Sequence, residues 1–375
     1  MLSLLALCLI ITLLLTNSMP YDVYQLDEES NEVIWKEVDH DYIREDTISL
    51  DIVFRNDTHG WALSQNKTGF GDGIILYTKD SGLTWNLQFY NETAELRQIL
   101  INGPHLWVTT NGGLLHSIND GRSWDYVPID DEQGFFYGIF FYNKTLGWTG
   151  SERGLYKTVD EGKTWNKTMS FPYEGRARDI YFTTPTSGWI IHSYGIYHTT
   201  DGGDSWEQQH DRGGWSFSFV GVTEAWAVGD YMLAHMTDGN TWVEQTIPSD
   251  MYSMRPDLTG VYFLNATYGW ITGSNPLVGH TQNGGADWYE QSVPIGTRYN
   301  AVWFYNETLG WAIGWGGNII RTSRGNELGT YSWGSSNVAL IYGVGFVLIA
   351  IVAVSVIFLR FRKRPSAVSP APDLE

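Results

Sequence analysis

The sequence predicts an all-β protein: a seven-bladed β-propeller of four-stranded blades, followed by one C-terminal transmembrane helix. Three observations carry this. A short pattern of hydroxyl, acid or amide, glycine and tryptophan returns at 39, 41, 41, 37, 45 and 41 residues, measured from Thr78, Ser117, Thr158, Thr199, Met236, Thr281 and Thr322. Such a period marks a propeller blade or another stacked unit. A second tryptophan column, each member preceded by an apolar run, keeps the same period. Near the end, Val338 to Leu359 is a run of 22 uncharged residues.

The pattern is clearest from Lys157 to Trp165, Lys-Thr-Val-Asp-Glu-Gly-Lys-Thr-Trp. An Asp or Asn in a turn bonds backbone groups two residues on, glycine takes the positive-φ position, and the flanking hydroxyls bond the same turn. The motif is therefore a hairpin with a self-satisfied turn, and its Trp opens the next strand. Asp80, Asn119, Asp160, Asp201, Asp238 and Asn283 hold the acid position. They sit in turns of different blades and cannot converge, which makes them structural and not catalytic carboxylates.

The second column is Trp61, Trp107, Trp148, Trp189, Trp226, Trp270 and Trp311, and seven copies mean seven blades. Runs such as Asp51 to Phe54 and Ala301 to Phe304 precede it as strand one. The Gly-Trp segment is strand two, the residues before the turn motif strand three, and those after its Trp strand four. The seventh blade breaks off after Thr322 without a convincing fourth strand. Val33-Ile-Trp35-Lys-Glu resembles the segments that follow the motif tryptophans, so the N-terminal strand is expected to complete blade seven and remove an open edge. Gly329 to Trp333 competes for that place.

The two ends frame this body. Leu2 to Leu15 is an apolar run shaped like a signal peptide, with cleavage expected near Ser18 and an uncleaved anchor as the alternative. The expected division is 1–18 signal, 19–336 extracytoplasmic propeller, 337–359 transmembrane helix and 360–375 cytoplasmic tail, with Arg360, Arg362, Lys363 and Arg364 as the basic inner flank. The expected location is a single-pass protein of the cell membrane with its body outside. Cys8 is the only cysteine, so disulfides cannot hold the body. Sequons at Asn56, Asn66, Asn91, Asn143, Asn166, Asn265 and Asn306 suit a glycosylated exterior. The formal net charge of −19 argues against nucleic acid or anionic membrane as a partner.

In such blades the one-to-two and three-to-four turns share one side of the disc, and the two-to-three and four-to-one connections share the other. Arg44, Arg97, Arg176, Arg178, Arg212, Arg255 and Arg298 fall in the latter connections or at the entry to strand one. Arginine suits bidentate recognition of carboxylates. Arg97, Tyr137, Arg178 and Asn300 occupy one equivalent position and are expected to line the mouth, with Arg176, Arg212, Arg255 and Arg298 around it, binding an acidic peptide, glycan or partner protein. The competing reading pairs each arginine with a nearby acid such as Glu95 or Asp179 on a solvated loop.

No cofactor or metal is expected. The strand-three column holds His116, His198, His235 and His280, but in separate blades, and no HExxH, EF-hand, P-loop or G-x-S-x-G motif occurs.

The repeated formula, with Gly310-Trp-Ala-Ile-Gly314 and Thr199 to Trp206 as its closest copies, resembles the Asp-box propellers, in particular the photosystem II stability/assembly factor family and its bacterial and archaeal relatives. The resemblance covers roughly Val33 to Gly325. It implies structural Asp-box acids and a non-catalytic assembly protein that binds another protein through an arginine patch, where Arg97 and Arg178 fall. The C-terminal span and the sequons depart from that family, so only protein binding carries over. More distantly the chain resembles sialidases and sortilin-type receptors. A sialidase-like glycoside hydrolase is the alternative function; it would need an arginine triad meeting a Tyr/Glu nucleophile pair, and the usual Arg-Ile-Pro signature is replaced by Phe54-Arg55-Asn56-Asp57.

Overall fold

In the computed structural model, residues 33–38, 46–66, 71–130, 134–171, 175–245, 257–294 and 298–329 are described, with backbone alone for 331–334. Seven antiparallel sheets succeed one another along the chain, giving the seven blades expected. Blade one comprises Thr47–Phe54, Gly60–Asn66, Gly73–Thr78 and Asn86–Asn91, and blades two to six repeat this order. The signal and transmembrane readings, the tail, Arg44 and Arg255 lie outside the described residues. Among the described residues, no helix is long and apolar enough to cross a membrane.

The Gly-Trp dipeptide is explained by what lies on each side of it. Each Trp of this column is buried, and several stack flat on the strand-one Phe of the following blade: Trp148 on Phe182 at 3.5 Å, Trp226 on Phe263 at 3.4 Å and Trp270 on Phe304 at 3.6 Å between ring centroids. The other face of the indole is covered by strand three of its own blade, as by His116 on Trp107 at 3.8 Å and His198 on Trp189 at 4.2 Å. The histidine column is thus a set of stacking partners, and no group of acids, histidines and cysteines among the described residues could hold a metal. The preceding glycine lies under its own blade's Phe: a methyl built on Gly188 would stand 2.4 Å from the Phe182 ring. Glycine leaves that ring room to lie flat on the neighbouring Trp; where Ala225 takes this place, Phe219 meets Trp189 tilted by 42° at 5.3 Å.

The turns are self-satisfied as the residue types require. In blade three Thr158 Oγ1 donates to Asp160 Oδ1 at 2.8 Å and accepts from Gly162 N at 3.0 Å, while Thr164 donates its backbone N to Oδ1 and its hydroxyl to Oδ2 of Asp160. The Thr164 and Thr158 bonds hold the Asp160 carboxyl down at about 2. Asn119 reproduces the set with Ser117 and Ser123, its amide donating where the acid accepts. These turns also join blades: the indole Nε1 of Trp148 donates to Gly202 O in the next Asp-box, and Trp226 does the same to Gly284 O.

Several sequon asparagines serve their own turns. Asn143, Asn265 and Asn306 each accept from the backbone N and hydroxyl of the Thr two residues on, which explains N-x-T as a strand-one to strand-two turn. Blade four uses Thr184 for the same purpose.

The N-terminal segment closes the ring. Lys36 and Glu37 pair antiparallel with Arg321 and Ile320 of blade seven. Trp35 is fully buried, donates Nε1 to Gln291 Oε1 at 2.9 Å and meets Phe304 edge-on. The competing segment goes elsewhere: Tyr331–Gly334 pairs with Asp287–Glu290 as a fifth strand of blade six, which corrects the expectation of four strands in every blade.

Candidate functional site

One position decides what faces the axis of the disc. Counting back eleven residues from each Gly-Trp tryptophan, or ten in blade two, gives Leu50, Arg97, Tyr137, Arg178, Trp215, Thr259 and Asn300. All seven line a cavity of about 410 Å³ on the side of the two-to-three and four-to-one connections. In blades one, three, four, six and seven the strand-one register slips at this point, so that an extra residue sits between paired ones. A β-bulge re-aims its extra side chain, and here it does so in blade after blade toward the axis.

Four arginines reach this mouth, Arg97, Arg176, Arg178 and Arg298, together with Tyr137 and Asn300. Arg212 does not: it pairs with Glu244 at 3.3 Å and lies outside the cavity lining. The four differ in their engagement. Arg97 binds Glu95 at 2.9 Å and Gln65 at 2.9 Å, the ion pairing expected of a loop arginine. Arg176 stands 3.8 Å from Glu152, which also accepts the Tyr137 hydroxyl at 2.6 Å. Burial and that hydrogen bond push the Tyr137 phenol up to about 12.

Arg178 and Arg298 are different. Neither has a carboxylate within ion-pair distance among the described residues; Arg178 does not pair with Asp179. Their Nε atoms are buried and donate to nothing. Both lie over Trp215, Arg178 with its guanidinium carbon 3.4 Å from a ring centroid and Arg298 at 5.6 Å. Trp215 is held by its Nε1 donating to Asp230 at 2.7 Å. Burial, then the neighbouring Arg176, lowers Arg178 to about 10, which leaves it charged at neutral pH. Two cations thus share one indole, each with an unused Nε, while Arg178 Nη1 donates to Gly214 O at 3.3 Å.

Beneath this ring lies a second one. Asp51 accepts the backbone N of Ile52 and of Ile99 in the next blade, each at 2.9 Å; Asp179 does the same for Ile180 and Phe217. Gln98 accepts from Ile139 N at 2.8 Å. These side chains lace neighbouring blades at the axis. Burial pushes Asp51 up to about 7 and Asp179 to about 6. The Asp-box acids remain at the far side of the disc in separate turns.

Comparison with known proteins agrees with this architecture. Residues 27–170 match the family described as Photosynthesis system II assembly factor YCF48. No curated protein matches the chain significantly in sequence. A solved structure described as YCF48 bound to D1 peptide is 17% identical, with a TM-score of 0.62 over 78% of this chain and 97% of that one. YCF48 from Cyanidioschyzon merolae is 16% identical, TM-score 0.62, over 78% of this chain and 100% of that one. A catalytically inactive virginiamycin B lyase from Staphylococcus aureus with quinupristin is also 16% identical, TM-score 0.62, over 78% and 99%. At these identities the solved structures establish the fold alone. In the sequence of its first blades and in the fold of its ring, the chain is a seven-bladed β-propeller resembling the YCF48 family of photosystem II assembly factors.

Proposed function

We propose that this protein is a non-catalytic, membrane-anchored receptor or assembly factor whose mouth holds a carboxylate-bearing segment of a partner protein or glycan. The single observation that carries the reading is the pair Arg178 and Arg298, both over Trp215, with buried Nε donors unused and, among the described residues, no acid within ion-pair distance. A carboxylate in the cavity would pair with the two guanidinium groups through charge-assisted hydrogen bonds in a desolvated place. A relative described as bound to a D1 peptide supports a peptide as the occupant. The apolar run at 338–359 and the leader-like start support an exported body held by one span.

The test uses the full chain in detergent and a fluorescent acidic peptide with a free C-terminus. Arg178→Glu with Arg298→Glu should weaken binding at least tenfold, while Arg212→Glu at the rim should leave it unchanged. Equal affinity for all three proteins, or no binding of acidic peptides by any, would refute the mouth as the binding site.

One observation favours a second reading. Tyr137 and Glu152 share a 2.6 Å hydrogen bond beside Arg97 and Arg176, the Tyr/Glu pairing a sialidase-like hydrolase would need near its arginines. Against it, Tyr137 is pushed up to about 12, away from a phenolate. Release of fluorophore from a sialoside by the wild type and not by Tyr137→Phe would establish this alternative.

A further inference from the structure

The fifth strand of blade six fixes which way the mouth points. Strand four of that blade, Asp287–Glu290, begins directly after the Asp-box turn at Asn283 to Gly285, so its Asp287 end lies on the Asp-box side and its Glu290 end on the mouth side. Tyr331–Gly334 runs antiparallel to it, Tyr331 opposite Glu290 and Gly334 opposite Asp287. The chain therefore travels from the mouth side to the Asp-box side, and Gly334, the last described residue, stands there. The apolar run begins at Val338, with only Ser335, Ser336 and Asn337 between it and Gly334.

We infer that the mouth opens away from the membrane, with the Asp-box side of blade six next to the bilayer. This rests on the membrane-anchor part of the proposed function. A fully extended residue spans at most about 3.5 Å, so the four steps from Gly334 to Val338 reach about 14 Å. Turning the disc over would require the chain to recross the length of a blade strand, which at about 3.3 Å per residue plus its turns is longer than that. Length therefore favours a mouth facing away from the lipid. The occupant is then a segment presented in the aqueous phase, not a loop lying at the headgroups. The sequon asparagines Asn143, Asn265 and Asn306 stand in the one-to-two turns, on the Asp-box side, whereas Asn66 and Asn91 end strands two and four of blade one on the mouth side.

The body has no cysteine, so single labels report position cleanly. Full-length Cys8→Ser protein carrying either Gln282→Cys in the Asp-box turn of blade six or Tyr231→Cys in the two-to-three turn of blade five is labelled with a fluorophore. It is then reconstituted into phosphatidylcholine vesicles containing a spin-labelled headgroup. Quenching at position 282 should exceed that at 231 at least threefold, and a twenty-residue Gly/Ser insertion after Gly334 should erase the difference. Equal quenching without the insertion, or stronger quenching at 231, overturns the orientation. Release of the protein from the vesicles by alkaline carbonate refutes the anchor, and the orientation with it. Failure of the acidic peptide to bind a correctly oriented protein would remove the mouth hypothesis and leave the orientation standing.

Discussion

Trp311 of blade seven lies flat on Phe54 of blade one, ring centroids 3.6 Å apart and planes 18° from parallel, and its indole Nε1 donates to Ser81 O in the first Asp-box at 2.9 Å. The last blade thus meets the first through the same stack and hydrogen bond used at other blade junctions. Closure is a repeat of the ordinary interface with one addition, the N-terminal strand.

That addition gives the first prediction. Trp35 is fully buried between blades six and seven and tied to Gln291, and Thr322 Oγ1 donates to Ile34 O at 2.8 Å. Truncating so large a buried side chain costs about 3–5 kcal/mol. Trp35→Ala should lower the denaturant midpoint by a corresponding amount, whereas Val33→Ala, at an exposed position, should leave it within error. Equal midpoints for wild type and Trp35→Ala would mean the ring is not closed by this strand.

The second concerns the glycine of the Gly-Trp pair. A methyl on Gly188 meets the Phe182 ring at 2.4 Å, and that ring cannot retreat because Trp148 stacks on its other face. Overpacking of this kind costs about 1–3 kcal/mol. Gly188→Ala should therefore destabilise the propeller, while Gly188→Ala combined with Phe182→Leu should recover part of the loss. Additive losses in the double variant would show that the ring is not the obstacle.

How far the sequence revealed this molecule follows from which features repeat. Blade number and the closing strand were readable because Trp61 to Trp311 and the Asp-boxes recur with fixed chemistry, and Trp35 kept their spacing. Arg97, Tyr137, Arg178 and Asn300 were recognisable as one equivalent position, but the bulge that aims them inward was not, because it has no side-chain signature. Trp215 belongs to the same ring and was missed as a tryptophan among arginines; its place eleven residues before Trp226 was the available signal. Arg212 was misplaced because a connection can lie at the rim and find Glu244 there. The fifth strand of blade six was illegible, since a short alternating segment does not name the edge it will join.

The third prediction separates the acid from the turn. Asn119 and Asn283 hold the same hydrogen bonds with an amide, donating from Nδ2 to Ser123 Oγ and Asp287 Oδ2. Asp160→Asn should consequently leave the melting temperature nearly unchanged at pH 7, and Asp160→Ala, which orphans Thr158, Thr164 and the Thr164 backbone N, should lower it. The carboxyl of Asp160 is held below its unfolded value of 3.8, so its contribution is present above pH 3.8 and lost as pH falls toward about 2. Asn should remove that acid-side loss. A catalytic or charge-based role for Asp160 would instead make Asn as damaging as Ala.

The last prediction is a pH dependence whose sign needs two opposing sets of groups. Burial lowers His116, His192 and His280 to about 4 in the folded chain, against 6.5 unfolded. Between those values the unfolded chain binds protons that the folded chain refuses, so stability is full above pH 6.5 and falls as pH drops toward 4. Asp51 and Asp179, raised by burial to about 7 and about 6, act the other way: the folded chain holds their protons, and stability falls as pH rises from 3.8 through those values. His105, His198 and His235 are lowered as well, so histidines outnumber the two acids and the net slope favours neutral pH. Melting temperature should decline steadily from pH 6.5 to pH 4. His280 is fully buried and stacked on Trp270, so His280→Phe keeps the stack and removes one titration. That variant should show a shallower decline than wild type, and parallel curves for the two proteins would contradict a neutral imidazole buried in blade six.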